Sequence, residues 1–119
     1  MKIKTSDLIG PALDWTVAKC EGVEYRWMAS SGGDYNGNWW WKTRSYSTDW
    51  SQGGPIIERE KISVIPFDDR WEARCACTPH RSVAQFIERR GPTPLIAAMR
   101  CFVASKLGDE VDIPEELLR

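Results

Sequence analysis

The sequence predicts an α+β protein in which an antiparallel sheet is sandwiched between an N-terminal and a C-terminal amphipathic helix. Helical patterns stand near the two ends of the chain, and several segments between them have the composition and alternation of strands. The chain has 119 residues, the size of one ordinary domain. We therefore assign residues 1–119 to a single α+β sandwich domain.

The N-terminal helix is predicted over "GPALDWTVAKCEG", residues 10–22, after a short strand at residues 1–4. Pro11 suits the first helical turn and Gly22 suits the end of a helix. One face carries apolar residues at helical spacing, namely Ile9, Leu13, Val17 and Cys20. This face predicts a helix that lies on a sheet.

The C-terminal helix is the clearest in the chain. Thr93 is placed to cap it, Pro94 falls in its first turn and Gly108 ends it. A broad apolar stripe consists of Leu95, Met99, Phe102, Val103 and Leu107.

Strand-like composition marks four segments between the helices. The first two are "VEYRWMA" and "WWWKTRSY", residues 23–29 and 39–46, which predict a hairpin with a long loop. The other two are "ISVIPF" and "WEARCAC", residues 62–67 and 71–77, joined by the turn "DDR". The segment "HRSVAQFIERR" fits either a strand or a helix.

The charge balance argues against a protein that binds nucleic acid by bulk charge, because 16 basic and 17 acidic residues give a net charge of −1. No apolar run is long enough to span a membrane, and no signal peptide is recognisable. We expect a cytoplasmic protein whose four cysteines are reduced.

Seven tryptophans are the strongest compositional anomaly. Tryptophan is usually a large buried residue, but it is also enriched at binding hot spots. Seven rings exceed what a core of this size needs, which predicts that some of them contact another molecule.

The segment "STDWSQGGPIIERE", residues 47–60, is the main candidate for a recognition loop. Ser47, Thr48 and Asp49 offer hydrogen bonds, Trp50 a stacking face, and Arg59 a contact to phosphate or carboxylate. The glycine pair at 53–54 allows close backbone access, and a short helix that begins at Pro55 exposes amides suited to an anion. The alternative is a structural crossover in which Ser47 caps a turn, the glycines permit unusual backbone angles, and Trp50 fills the end of the core.

The triplet "WWWK" is a second candidate surface. In a strand, Trp39 and Trp41 share one face and Trp40 points to the other. Next to Lys42 and Arg44, an exposed Trp39–Trp41 face suits stacking on bases. The alternative is that all three rings are core.

Motifs for metal binding and catalysis are weak. Cys75, Cys77 and His80 form a C-x-C-x-x-H pattern, but zinc needs four ligands and two small residues on one strand face explain the cysteines equally well. The single histidine stands without a nucleophile motif, and no phosphate-binding glycine loop is present. We predict no catalytic residue, no metal and no cofactor.

A basic cluster remains near the C-terminal helix. Arg89 and Arg90, with Arg81 before and Arg100 after them, form either a positive patch or a surface of ion pairs.

Three segments together resemble a known family: "LDWTVAKCEG", "YSTDWSQGGPIIERE" and "GPTPLIAAMRCFVASKLG". They are similar to the NinX-like family of small phage and prophage proteins, and the resemblance spans nearly the whole chain. It implies a phage or prophage origin, a cytoplasmic location in the bacterial host and the α-β-α sandwich. It implies no catalytic residues, and "CACTPHRSVAQ" matches none of its motifs.

The function predicted from these observations is a non-catalytic accessory protein that binds a host factor. Its contact surface is predicted at Ser47, Thr48, Asp49, Trp50 and Arg59, with Trp39 and Trp41 second. The alternative is capture of a small anionic ligand such as a nucleotide signal, and a small hydrolase is a third class. The oligomeric state does not follow from the sequence.

Overall fold

The computed structural model describes residues 1–22, 45–76 and 86–115, and it confirms the α+β class with antiparallel sheets. The described residues contain three helices: α1 (Gly10–Cys20), α2 (Trp50–Glu60) and α3 (Pro94–Leu107). They contain five strands: β1 (Lys2–Lys4), β2 (Ser63–Pro66), β3 (Trp71–Ala76), β4 (Phe86–Gly91) and β5 (Glu110–Asp112). The strands predicted at 23–29 and 39–46 lie outside the described residues, except for the last two positions.

The larger sheet has the order β2-β3-β4 with antiparallel pairing throughout. The predicted hairpin over 62–77 is confirmed as β2 and β3, with Val64 opposite Ala73. The segment that fitted either a strand or a helix forms β4, with Arg89 opposite Ala73 on its other side. The alternation of Phe86 to Arg90 between exposed and half-buried side chains agrees with a strand at the edge of the described sheet.

The smaller sheet pairs the two ends of the described chain. Strands β1 and β5 run antiparallel, with Ile3 opposite Val111. The terminal amine of Met1 donates to Asp112 Oδ1 at 2.8 Å and to the Ile113 carbonyl at 3.0 Å. The sequence predicted β1 but not its partner, because three residues with a single buried side chain carry no alternation signal.

Helix α3 is the centre of the fold. Thr93 caps it through Oγ1, which accepts from Ile96 N at 3.1 Å, and Gly108 ends it with φ +90°. Its buried side chains cover more than the predicted stripe, since Ala97, Ala98 and Cys101 are also fully enclosed while Leu107 is exposed. One side of α3 packs on the larger sheet, and other sides contact α1 and α2.

The predicted sandwich, with the sheet between the N-terminal and C-terminal helices, is not confirmed by these contacts. Helix α1 packs against α3, and most of the strands predicted between 23 and 46 lie outside the described residues. The arrangement stays a prediction.

Helix α1 forms where the sequence predicts it, with Pro11 in its first turn and Gly22 beyond its end at φ +79°. Leu13 and Val17 are fully buried. The prediction that Ile9 shares their face is wrong, because the helix begins at Gly10 and Ile9 precedes it in an extended conformation, 53% exposed.

Helix α2 corrects the expected break at Gly53, Gly54 and Pro55. The three residues lie inside one continuous helix, although Pro55 removes a backbone donor from its interior. A Cβ atom on Gly53 would collide with the Tyr46 carbonyl and stand 2.7 Å from Leu95 Cδ1. The glycine therefore lets α2 approach α3 and the 45–48 turn, and this close packing together with buried Ile56 offsets the poor helix propensity.

Among the described residues, no helix combines the length and the apolar character that crossing a bilayer requires.

The adjacent glycines of α2 provide a matched test of this packing. We expect Gly53→Ala to lower the free energy of unfolding by about 1–3 kcal/mol, because the added methyl group overpacks the contact with Tyr46 and Leu95. Gly54→Ala is the control. Its Cβ would meet only Trp50 Cε3 at 3.8 Å, so it should be neutral or stabilise by about 0.5–1 kcal/mol. Urea unfolding measures both, and equal effects would contradict the close approach at Gly53.

Candidate functional site

The segment that precedes α2 is a tight turn that caps the helix. Asp49 is the N-cap residue, and its Oδ1 accepts from Ser51 N at 2.9 Å and from Ser51 Oγ at 2.7 Å. Gln52 Nε2 donates to Asp49 Oδ2 at 3.1 Å, while Gln52 Oε1 accepts from Ser45 N at 2.8 Å. These bonds, from Ser51 first, hold the pKa of the Asp49 carboxyl below its usual value. The segment is thus a rigid cap rather than an open loop.

Ser47 is buried inside this turn and does not form part of the surface. It is 2% exposed, and its backbone N–H donates to Asp14 Oδ1 on α1 at 2.8 Å. The predicted role of Ser47 as a contact residue therefore does not agree with its position, and Asp49 rather than Ser47 is the cap. Ser47 instead fastens the turn to α1.

Asp14 is a site residue that the sequence did not reveal. Burial raises the pKa of its carboxyl, and hydrogen bonding from Ser47 opposes that rise. Its partner lies 33 residues away along the chain, so no local pattern connects the two.

Trp50 is the first residue of α2 and is 55% exposed. The alternative in which Trp50 fills the end of the core does not fit this exposure. The indole lies beside Gly54, one turn further along the helix, where an added Cβ would stand 3.8 Å from Trp50 Cε3. Thr48 is exposed beside it, so Thr48, Asp49 and Trp50 remain together at the surface.

Arg59 is engaged at the other end of α2. Its Nη1 and Nη2 donate to the two carboxylate oxygens of Glu21 at 2.9 and 2.7 Å, and its Nε donates to Glu60 at 2.8 Å. These hydrogen bonds, the one to Glu21 first, raise the pKa of Arg59 above its usual value. It lies nine positions beyond Trp50 in the helix, roughly 13 Å along the axis. The predicted site residues Trp50 and Arg59 therefore do not converge on one small ligand.

The predicted anion site at a helix start near Pro55 is also wrong in its position. The helix begins at Trp50, and the carboxylate of Asp49 already accepts from the backbone amide of Ser51 in the first turn. A second negative charge at the same helix end is disfavoured by Coulomb repulsion.

Trp39 and Trp41 lie outside the described residues, so their predicted stacking surface stays a prediction. Of the other tryptophans, Trp15 and Trp71 are partly buried against the core.

The cysteines of the described chain belong to the core. Cys75 and Cys101 are buried with their Sγ atoms 3.1 Å apart, which joins β3 to α3. The contact with Cys75 and burial raise the pKa of the Cys101 thiol far above its usual value. Within the described ranges, no three His, Cys, Asp or Glu residues are grouped to hold a metal ion. Cys77 and His80 lie outside those ranges.

Three arginines of the basic cluster come together. Arg89, Arg90 and Arg100 line a cleft of about 490 Å³ between β4, α3 and the 3₁₀ turn at Thr5–Asp7. Arg81 lies outside the described residues. The sequence marked the arginines as a patch but did not predict a cleft, because Ser6 and Asp7 join it from the other end of the chain.

Comparison with known proteins gives one family. The family model described as "Bacteriophage P22, NinX" matches residues 4–106, a stretch that includes α1, α2, the larger sheet and almost all of α3. No curated protein matches the chain.

The bond between Ser47 and Asp14 predicts a difference between two substitutions. Asp14→Ala leaves a buried N–H without its acceptor and should lower the free energy of unfolding by about 1–3 kcal/mol. Asp14→Asn keeps an acceptor oxygen and removes a charge that burial disfavours, so at pH 7 it should be as stable as the parent protein or more stable. Thermal and urea unfolding measure both.

The pH dependence of the same pair has a defined sign. The pKa of Asp14 is higher in the folded chain than its ordinary value of 3.8, so its contribution favours folding below that value and is lost as pH rises through the folded pKa. The stability of Asp14→Asn relative to the parent should therefore increase with pH across that window. An Asn variant as unstable as the Ala variant at pH 7 would contradict the burial of this charge.

Proposed function

The chain belongs to the bacteriophage P22 NinX family, and we propose that this phage accessory protein is a non-catalytic binding module that engages a host protein in the bacterial cytoplasm. The proposed anchor of the interface is the side chain of Trp50, with Thr48 and Asp49 on its rim. The observation that carries the proposal is a large aromatic ring, 55% exposed, on the first turn of a capped helix.

The fixed position of the helix end that carries Trp50 supports a role in binding. The Asp49 cap, the Gln52 bonds and the tight packing of Gly53 fix the helix end before any partner arrives. A ring on a rigid support loses little conformational freedom on association. Less of the free energy gained by burying the ring is then offset by the cost of ordering it. Tryptophan is among the residues most enriched at protein hot spots.

The chemistry around Trp50 favours a protein partner over a small anion at this position. The neighbouring groups are a hydroxyl from Thr48 and the carboxylate of Asp49, a polar rim around an aromatic centre. Arg59, the cation proposed for anion capture, is bound to Glu21 and Glu60. Should Trp39 and Trp41 extend the aromatic surface, they would enlarge the same kind of interface.

The experiment first identifies the partner and then measures its affinity. The protein is expressed in the bacterial host with a photoreactive phenylalanine analogue in place of Thr48. After irradiation, the crosslinked host protein is identified and purified. Its affinity for the full chain is then measured with purified components by calorimetry.

We expect Trp50→Ala to weaken this affinity by at least about 30-fold, the loss typical of a hot-spot residue. Its thermal unfolding midpoint should change little, because the ring is largely outside the core. Phe67→Ala is the control, since Phe67 is another exposed aromatic, 44% exposed, in the β2–β3 turn. Equal loss of affinity in both variants, or unchanged affinity of Trp50→Ala, would refute the proposed interface.

A further inference from the structure

The two cysteines between β3 and α3 stand closer together than packing requires. The Sγ atoms of Cys75 and Cys101 are 3.1 Å apart. Carbon atoms in van der Waals contact stand about 3.5–4.0 Å apart, and sulfur is the larger atom. A further approach of about 1 Å would bring the two Sγ atoms to the distance of roughly 2.05 Å that a disulfide bond has. Both residues are free cysteines in this structure.

Hydrogen bonds hold both thiols at this contact. The Cys101 thiol donates to the Ile87 carbonyl at 3.1 Å, and the Cys75 thiol donates to the Cys101 carbonyl at 3.5 Å. Cys75 and Ile87 lie directly opposite each other in β3 and β4. The thiol pair is therefore held where α3 packs on these two strands. A bond between its sulfur atoms would join elements that are already in contact.

The two thiols differ in acidity. Hydrogen bonding from Cys101 lowers the pKa of Cys75, although burial opposes this effect. The same contact and burial raise the pKa of Cys101. Cys75 is therefore the thiol that ionises first, and the thiolate is the form of cysteine that reacts with oxidants. Cys101 keeps its proton and lies beside the sulfur atom that has reacted.

The burial of the pair restricts which oxidant can reach it. Cys75 is 4% exposed and Cys101 is 0% exposed, so a reagent must be small and must enter during local opening. Cys75 is followed by Ala76, the last residue of β3. The ends of secondary-structure elements open at a lower free energy than the core does. Hydrogen peroxide meets these conditions, because it is small and uncharged.

We propose that Cys75 and Cys101 form a site of reversible oxidation, at which hydrogen peroxide converts the two thiols to a disulfide that crosslinks β3 to α3. The site uses neither Trp50 nor its rim. The proposal therefore does not depend on the host-protein interface.

The reaction has two steps. In the first, the Cys75 thiolate attacks one oxygen of the peroxide, the O–O bond breaks, and Cys75 becomes a sulfenic acid. The hydroxide that leaves takes up the proton that Cys75 gave up and becomes water. In the second step, the sulfur of Cys101 attacks the sulfur of Cys75, the S–O bond breaks, and the oxygen leaves as water with the thiol proton. Overall, the two thiols lose two electrons and two protons, and the peroxide is reduced to two molecules of water.

The disulfide should stabilise the folded protein. It joins residues 26 positions apart and encloses β4 and the first half of α3 in a covalent loop. Such a loop reduces the conformations open to the unfolded chain, while the folded chain already has the two residues in contact. We expect the thermal unfolding midpoint to rise by at least about 5 °C on oxidation.

The test uses the full chain, which is fully reduced, freed of reductant and treated with hydrogen peroxide. Digestion and mass spectrometry should show the peptides of Cys75 and Cys101 joined, with the loss of two hydrogen atoms from the mass of the chain. A thiol reductant should restore both the mass and the unfolding midpoint. The chain unfolded in urea is the reference, because its four thiols have no fixed geometry and should give mixed linkages.

Two substitutions separate the pair from the other thiols. Cys101→Ala should abolish the crosslink and leave Cys75 as a sulfenic acid that a cyclic dione traps. Cys20→Ala is the matched control and should form the crosslink as the parent does, because Cys20 lies on α1 and burial raises the pKa of its thiol to about 11. Circular dichroism verifies that both variants are folded.

Three results would overturn the proposal. The first is the absence of a link between Cys75 and Cys101 in the folded parent, including a link from Cys75 to another cysteine in its place. The second is a mixture of linkages in the folded chain that equals the mixture in urea. The third is a crosslinked chain whose unfolding midpoint is no higher than that of the reduced chain.

Discussion

Helix α3 has buried side chains around most of its circumference, so the other elements must lie where they cover it. The larger sheet covers one side through β3 and β4, while α1 and α2 contact others. Small residues at Ala97, Ala98 and Gly91 allow the close approach, since a Cβ on Gly91 would stand 2.6 Å from Ala97 N. Burial of this apolar surface is the main contribution that favours folding. The positions of Trp50 and of the cleft beside β4 follow from how the covering elements pack on α3.

The packing of α2 on α3 determines which side chain is exposed at the start of α2. Gly53 packs under Tyr46 and Leu95, and the preceding turn is anchored to α1 through Ser47 and Asp14. With the inner side of the helix start occupied in this way, Trp50 is left on the outer side. The ring is 55% exposed on this support, and the proposed interface uses that exposure.

The cleft beside β4 depends on the contacts that Arg100 makes from α3. Arg100 bonds at the same time to the carbonyls of Leu8 and Arg90, so one side chain joins α3 to the residues before α1 and to the edge of β4. Neutral carbonyls satisfy its donors in part without cancelling its charge. Arg59 shows the opposite outcome, because Glu21 and Glu60 neutralise it. The partners of the two arginines decide this difference, and they cannot be read from the neighbouring sequence.

The sequence by itself determined the elements whose signals are local: α1 and α3 from their apolar spacing and terminal residues, and the β2–β3 hairpin from alternation around a turn. Its resemblance to the NinX-like family was confirmed by the family match. The choice of Trp50 as a surface residue also began in the sequence, whereas the pairing of β1 with β5 and the continuity of α2 through Pro55 did not. The burial of Ser47, the neutralisation of Arg59 and the cleft around Arg100 were decided by tertiary structure alone. Each depends on a partner distant in the chain, such as Asp14, Glu21 or Leu8, and the energy of such a contact leaves no pattern in neighbouring residues.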